Sequence, residues 1–206
     1  ILERRALKYA ALASENNELR RLLNSSEVLD DRVIVGEVVG VSPDPFSHEI
    51  IINKGHSDGV TTGQAVLDAE GLMGQIVQTS QFTSRVLLVS DSSHAVPVEV
   101  VRNGLRSVLL GNGEVNQLDL VHVPDTADIR EGDTLVSSGL GGRFPRGYPV
   151  AEVSQITKEP GEPFVTIRAR PMARLNQSRL VLVVFQPESR ERRESAEPQT
   201  TEEEAN

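Results

Sequence analysis

The spacing of apolar residues changes once along this chain, and that change limits what it can fold into. Up to Ser26 apolar side chains recur roughly every 3.5 residues, the seam spacing of a helix that packs lengthwise on a partner. After Asp30-Asp31 the spacing becomes two: Val33, Val35, Glu37 and Val39 alternate with Arg32, Ile34, Gly36 and Val38, as in a pleated strand. Residues 1–26 hold no Gly, Pro or Val, whereas residues 33–186 are rich in Val, Ile and Gly. One helix therefore precedes a β body.

Within that body, turn residues recur every ~8–12 positions, the rhythm of short strands. Strands are expected at Val33–Val39, Glu49–Asn53, Gln64–Leu67, Met73–Thr79, Arg85–Val89, Val96–Val101, Ser107–Leu110 and Leu118–Val123. Four more follow at Thr134–Val136, Val150–Gln155, Phe164–Ala169 and Leu180–Phe185. Ser42-Pro43-Asp44-Pro45 and Asn103-Gly104 are turn chemistry. With no helical run between them, these strands predict an antiparallel all-β body.

The body also echoes itself. Val60-x-x-Gly63-Gln64-Ala65-Val66 leads to Gly71-Leu72-Met73-Gly74 and Ile76-Val77. Ile129-x-x-Gly132-Asp133-Thr134-Leu135-Val136 leads to Gly139-Leu140-Gly141-Gly142 and Val150–Val153. Each copy reads as a tight Gly turn, a strand, a Gly loop and a returning strand. The repetition predicts two small barrels rather than one large sandwich. The fold class is thus mainly β, an N-terminal coiled-coil helix followed by two small antiparallel β-barrel domains. The expected domains are the helix at 1–26, a first barrel at 33–122 and a second at 123–186.

The helix reads as heptads with Leu2, Tyr9, Asn16 and Leu23 at a, and Arg5, Leu12, Leu19 and Ser26 at d. Asn16 is informative, because a buried Asn is tolerated best opposite another Asn in a parallel, in-register dimer. Glu15 at g and Arg20 at the next e are placed to pair across such a dimer. Tyr9, Leu12, Asn16, Leu19 and Leu23 are the expected dimerisation residues. The alternative is a helix lying on its own domain, towards which Leu22 beside Leu23 broadens the stripe.

Composition removes whole classes of activity. The net charge is -9, which disfavours a polyphosphate partner, so no nucleic acid is expected. There is no Cys, hence no thiolate nucleophile, disulfide framework or Cys-ligated zinc. Residues 187–206 carry seven Glu against three Arg and no Val, Ile, Leu or aromatic, the composition of a disordered acidic tail. No run approaches the ~20 apolar residues of a membrane span. The chain begins at Ile1 in mid-pattern and is read as a fragment that an upstream anchor could precede.

Catalysis needs convergent groups, and each class of chemistry leaves its own pattern in a sequence. Ser90–Ser93 with His94, or Ser137-Ser138 beside Gly139, are the serine candidates, but no Gly-x-Ser-x-Gly elbow occurs. Asp91-Ser92-Ser93-His94 reads better as a polar turn. His48, His56, His94 and His122 form no His-x-His or His-x-x-x-His pair. No phosphate loop with a following helix is present. No catalytic residue, cofactor or metal is therefore expected. The loop from Gly139 to Pro149 holds two of the seven aromatics and two Arg among glycines and prolines. Arg143, Phe144, Arg146 and Tyr148 are candidate partner contacts, since Arg and aromatics are enriched at interfaces. Equally, Phe144 and Tyr148 could turn inward and plug a barrel end.

The order of parts resembles a known family. The first half carries Asn53-Lys54-Gly55-x-x-x-Gly59-Val60-x-x-Gly63-x-x-Val66, then Gly71-Leu72-x-Gly74-x-Ile76, Ser84-x-Val86-x-Leu88 and Asp91. The second carries Gly132-Asp133-x-x-Val136-x-Ser138-Gly139-x-Gly141-Gly142-x-Phe144-Pro145-x-Gly147-x-Pro149-Val150. From about residue 5 to 186 this resembles the bacterial rod shape-determining MreC family. The resemblance implies a non-enzymatic, self-associating scaffold of the elongasome. It implies a periplasmic region of a single-pass inner-membrane protein, whose N-terminal transmembrane helix lies upstream. The implied partners are a class B penicillin-binding transpeptidase, MreD, RodA and the actin-like MreB filament. The family's barrels also resemble those of chymotrypsin-like proteases without the triad, and strands within 33–53 are allowed to complete the second barrel. Rival readings are a double-barrel serine hydrolase and an efflux-type periplasmic adaptor, although the latter needs a helical hairpin and only one helix is visible.

Overall fold

A computed structural model describes residues 13–14, 16–17, 19–22, 32–44, 47–158, 161 and 163–185. Its strands are β1 (Arg32–Val41), β2 (Glu49–Ile52), β3 (Ala65–Leu67), β4 (Leu72–Thr79), β5 (Ser84–Leu88) and β6 (Ala95–Val100). They continue with β7 (Arg106–Gly111), β8 (Leu118–Val121), β9 (Thr134–Ser137), β10 (Pro149–Thr157), β11 (Thr166–Pro171) and β12 (Leu180–Phe185). Every expected strand is present. Two short 3-10 turns, His56–Asp58 and Leu140–Gly142, interrupt the loops.

The strands close into two six-stranded antiparallel barrels, which removes free sheet edges. Around the first ring the order is β12-β1-β2-β5-β4-β3, and around the second it is β6-β7-β8-β11-β10-β9. The two rings have the same connectivity with one strand displaced. The position that β6 fills at the start of the second barrel is filled in the first by β12, the last strand. The first barrel is thus a circular permutation of the second, with the whole second barrel inserted between β5 and β12.

This corrects the expected boundaries. The division at 122/123 would separate β6–β8 from β9–β11, although β6 pairs β9 and β8 pairs β11. Strands within 33–53 do not complete the second barrel. β1 instead pairs β12 from Arg32↔Phe185 to Glu37↔Leu180. The first barrel comprises β1–β5 with β12, and the second comprises β6–β11.

The internal echo has a physical counterpart. Gly63 and Gly132 adopt φ of 95° and 86°, a left-handed turn that glycine enters without penalty. The Gly63 N–H donates to the Ile76 carbonyl and the Gly132 N–H to the Val153 carbonyl, both at 2.8 Å. The Ile76 N–H returns to the Gln64 carbonyl and the Val153 N–H to the Asp133 carbonyl, both at 2.9 Å. The next side chain caps each turn: Gln64 Oε1 accepts the Thr61 N–H, and Asp133 Oδ2 accepts the Arg130 N–H.

One continuous apolar core fills both barrels, including Ile52, Val66, Ile76 and Val86 in the first and Leu109, Leu120, Leu135 and Ile167 in the second. Glycines in β4 and in the turn before it set close approaches. A Cβ on Gly74 would clash with the Leu87 carbonyl oxygen, and one on Gly71 would lie 2.7 Å from the Pro149 carbonyl oxygen in the other barrel. Among the described residues no helix is long and apolar enough to cross a membrane. Gly74→Ala should therefore lower stability by about 3 kcal/mol or more, because backbone has to move. Gly104→Ala, whose φ is 71° with open space around it, should cost only about 1 kcal/mol. Urea midpoints at unchanged m-value check both.

Candidate functional site

The chain crosses between barrels twice, and each crossing is pinned by one buried aspartate. On the outward crossing, residues 89–94, Asp91 accepts the His48 N–H at 2.8 Å and both the N–H and the hydroxyl of Ser93. Burial alone would raise this carboxyl, but the Ser93 and His48 donors prevail and hold it below the usual range. On the return crossing, Asp68 of the β3–β4 turn accepts the Arg174 N–H at 2.7 Å and the Ser178 hydroxyl at 2.8 Å. Its other oxygen accepts the Glu70 and Gly71 N–H groups. The β3–β4 turn and the returning chain therefore move as one piece.

The Gly139–Pro149 loop rises from the end of β9 and is tightly held. Ser137 anchors its base: the hydroxyl donates to the Pro145 carbonyl and accepts the Tyr148 N–H, while the backbone carbonyl accepts the Gly147 N–H. Phe144 is 2% exposed and Tyr148 6% exposed. The expectation that these two rings touch a partner is therefore corrected: they are apolar and face the interior, and Phe144 meets the His94 ring at 5.8 Å. Arg143 and Leu140 lie on the outside. The Arg146 guanidinium, also outside, donates to both carboxylate oxygens of Glu99 at 3.0 and 3.2 Å. Of the four expected contact residues, two build the plug and two form its charged rim.

Residues 13–14, 16–17 and 19–22 are helical. Leu22 is 1% exposed and belongs to the common core. Asn16 is exposed, its side chain accepting from Arg20 Nε at 2.8 Å, and Leu19 is 36% exposed. Leu22 thus docks on the first barrel, while Asn16 at a and Leu19 at d stay outside. Leu22, Arg21, Asp68, Glu70, Arg174 and Leu180 line a cavity of about 370 Å³ at this joint. Glu70 sits between Arg174, at 2.7 Å, and Arg21, at 3.7 Å. Tyr9, Leu12 and Leu23, and the expected acidic tail, lie outside the described residues.

The hydrolase candidates do not assemble. The Ser93 hydroxyl donates to Asp91 rather than to an imidazole, and among the described residues neither ring nitrogen of His94 has a hydrogen-bond partner. Ser138 accepts the Leu140 N–H. His48 Nδ1 reaches the buried Ser90 hydroxyl at 2.8 Å, but Asp91 holds the His48 backbone, not its ring. A nucleophile, base and orienting acid in series are therefore missing among the described residues. No three His, Asp or Glu converge on a metal-sized space there either.

The densest charge cluster is structural. Arg102 grips Asp133 through Nε at 2.8 Å and its terminal nitrogen at 2.9 Å, and also bonds Asp128. Hydrogen bonds from Arg102 hold the Asp133 carboxyl below its ordinary value, tying β6 to the Gly132 turn. A residue that sequence reasoning passed over is Phe82, 69% exposed at the β4–β5 tip. That tip is fixed by the His56 and Ser57 N–H groups, which donate to the Ser80 and Gln81 carbonyls. An aromatic flanked by Gln81 and Thr83 in a short polar turn was the available signal.

The plug and the rim should separate on substitution. Phe144→Ala is expected to cost about 3–5 kcal/mol of stability, and Arg146→Ala about 0–1 kcal/mol, read by urea unfolding. Asp68→Ala strands four donors at the return crossing and should cost at least about 3 kcal/mol by the same measurement.

Comparison with known proteins agrees with this architecture. The family described as "Rod shape-determining protein MreC, barrel core" matches residues 38–185, ending where β12 ends. The cell shape-determining protein MreC of Escherichia coli (strain K12) is 43% identical over 92% of this chain and 50% of its own length. The chain thus spans about half the length of the curated relatives it matches. The crystal structure of MreC from Pseudomonas aeruginosa is 55% identical, covers 75% of this chain and 100% of that one, and superimposes with a TM-score of 0.74. A complex between a penicillin-binding protein (PBP2) and MreC from Helicobacter pylori shares the fold, at 18% identity, coverage of 76% and 100%, and a TM-score of 0.57. With a family match across both barrels and close relatives along nearly its whole length, the chain belongs to the MreC family of rod shape-determining proteins.

Proposed function

We propose that this chain is a non-enzymatic scaffold of the lateral wall-building machinery, a periplasmic region that pairs through its helix and docks a class B penicillin-binding transpeptidase on its second barrel. The observation that carries the reading is the built loop after β9. Its rings fill the barrel end while Leu140, Arg143 and Arg146 stand outside on a backbone held by Ser137. A rigid, charged rim can bind without first paying the entropy of ordering a mobile loop. The Helicobacter pylori relative was solved with a penicillin-binding protein, which supports the choice of partner class.

The helix supports the second half of the reading. Leu22 docks on the barrel while Asn16 and Leu19 face outward, which leaves these two seam positions exposed to meet a second copy. Pairing would double the number of docking faces per assembly and raise the effective concentration at each. Anchorage upstream in the inner membrane, and links to MreD, RodA and MreB, complete the proposal as the family resemblance implies.

Two measurements test it. Arg143→Glu with Arg146→Glu should cut capture of the transpeptidase's periplasmic domain at least about tenfold, consistent with loss of ~1.4 kcal/mol, while leaving the melting temperature within a few degrees. Undiminished capture moves the docking face elsewhere. A Cys at position 16 should form a disulfide dimer in cells that keep their rod shape. Absence of that dimer in such cells rules out the parallel pair.

A further inference from the structure

His94 is 4% exposed, and neither Nδ1 nor Nε2 has a hydrogen-bond partner among the described residues. Buried polar atoms almost always find partners, so an orphaned imidazole calls for an explanation. Packing alone does not supply one, because an apolar side chain would fill the same space without the desolvation cost. Its backbone is fixed at both ends: the N–H donates to the Asp91 carbonyl, and the carbonyl accepts the Gly111 N–H from β7. The ring therefore cannot swing away without disturbing the outward crossing. Its face meets the Phe144 ring at 5.8 Å and 53°. The charges that act on it are Asp91 on its own crossing, which favours a proton, and Arg143 from the loop, which opposes one.

We infer that His94 is an acid-sensitive latch for the Gly139–Pro149 loop. The neutral ring keeps Phe144 seated in the barrel, and protonation unseats Phe144 and frees the loop. The physical reason is that an imidazolium at this position would be buried without a hydrogen-bond acceptor among the described residues and beside the Arg143 guanidinium, a cost that outweighs the attraction of Asp91. Burial is the dominant cause that pushes this imidazole down to about 4, from an ordinary value near 6.5. A depressed value fixes the sign. The closed loop keeps its full advantage above about pH 6.5 and loses it progressively as the pH falls towards 4, because only the open state takes up the proton in that window. Between pH 7.5 and 5 the open-to-closed ratio should rise roughly 30-fold. That this would alter partner docking rests on the function proposed above; the latch itself does not.

Hydrogen exchange of residues 139–148 in the full chain, corrected for the intrinsic pH dependence, tests the latch. In the wild type the protection of this segment should fall roughly 30-fold between pH 7.5 and 5. In His94→Gln, which keeps a neutral polar side chain, and in His94→Phe, it should stay within about threefold. A flat profile in the wild type, or an equal fall in a folded variant, overturns the inference. Should neither variant fold, the His94 ring titration followed by NMR in the wild type decides alone: a value near 6.5 or above overturns it, and one near 4 sustains it. Loss of transpeptidase capture in Arg146→Glu with unchanged exchange separates failure of docking from failure of the latch, because Arg146 pairs with Glu99 and is not among the charges acting on His94.

Discussion

The antiparallel pairing of β1 with β12 is the constraint on which the remaining structure depends. It joins the two ends of the β body, from Arg32↔Phe185 to Glu37↔Leu180, and it is the step that closes the first barrel. Until β12 returns, β1 and β3 each expose a row of unpaired N–H and carbonyl groups. The second barrel has no such dependence, because β6–β11 are contiguous in the chain. Contacts of such unequal sequence separation imply that the second barrel can form locally, and that the first must wait for it.

Insertion of one barrel into the other forces the chain across the junction twice. Both crossings are held by carboxylates that collect backbone and hydroxyl donors, Asp91 outward and Asp68 on the return. The Asp68 anchor also lies at the foot of the N-terminal helix, where Arg21, Glu70 and Leu22 meet it across one cavity. Helix, first barrel and returning strand are thereby coupled. The Asp91 anchor lies on the segment that carries His94 against Phe144, so the outward crossing is coupled to the loop of the second barrel. The scaffold proposed above needs its binding faces at fixed relative positions, and these joints would supply that with a few buried polar groups.

What could be read from the sequence followed from the range of the interaction concerned. Strand positions were legible because alternation and turn chemistry are local; β12 at Leu180–Phe185 is a case where even the ends coincide. The echo around Gly63 and Gly132 was legible because a left-handed turn demands glycine, whatever surrounds it. Barrel membership was not, because no local pattern marks β12 as a partner of β1 and β3 rather than of β6 or β9. It follows only from ring closure across almost the whole chain. Phe144 and Tyr148 were ambiguous because an aromatic between glycines satisfies both an interface and a plug, and burial decides which. Asp68 gave no signal and His94 read only as part of a polar turn, since their roles come from donors that arrive, or fail to arrive, from distant segments.

Leu22 falls at g, which borders d on the helix, so its docking on the barrel and the proposed a/d pairing use neighbouring faces. In the proposal above, the helix serves both its own barrel and a second copy. Light scattering on the chain mixed with the transpeptidase's periplasmic domain tests this scaffold account most directly. The account requires a particle that contains two copies of the chain together with bound transpeptidase. A 22.5 kDa particle at every concentration, with no transpeptidase attached, would contradict it.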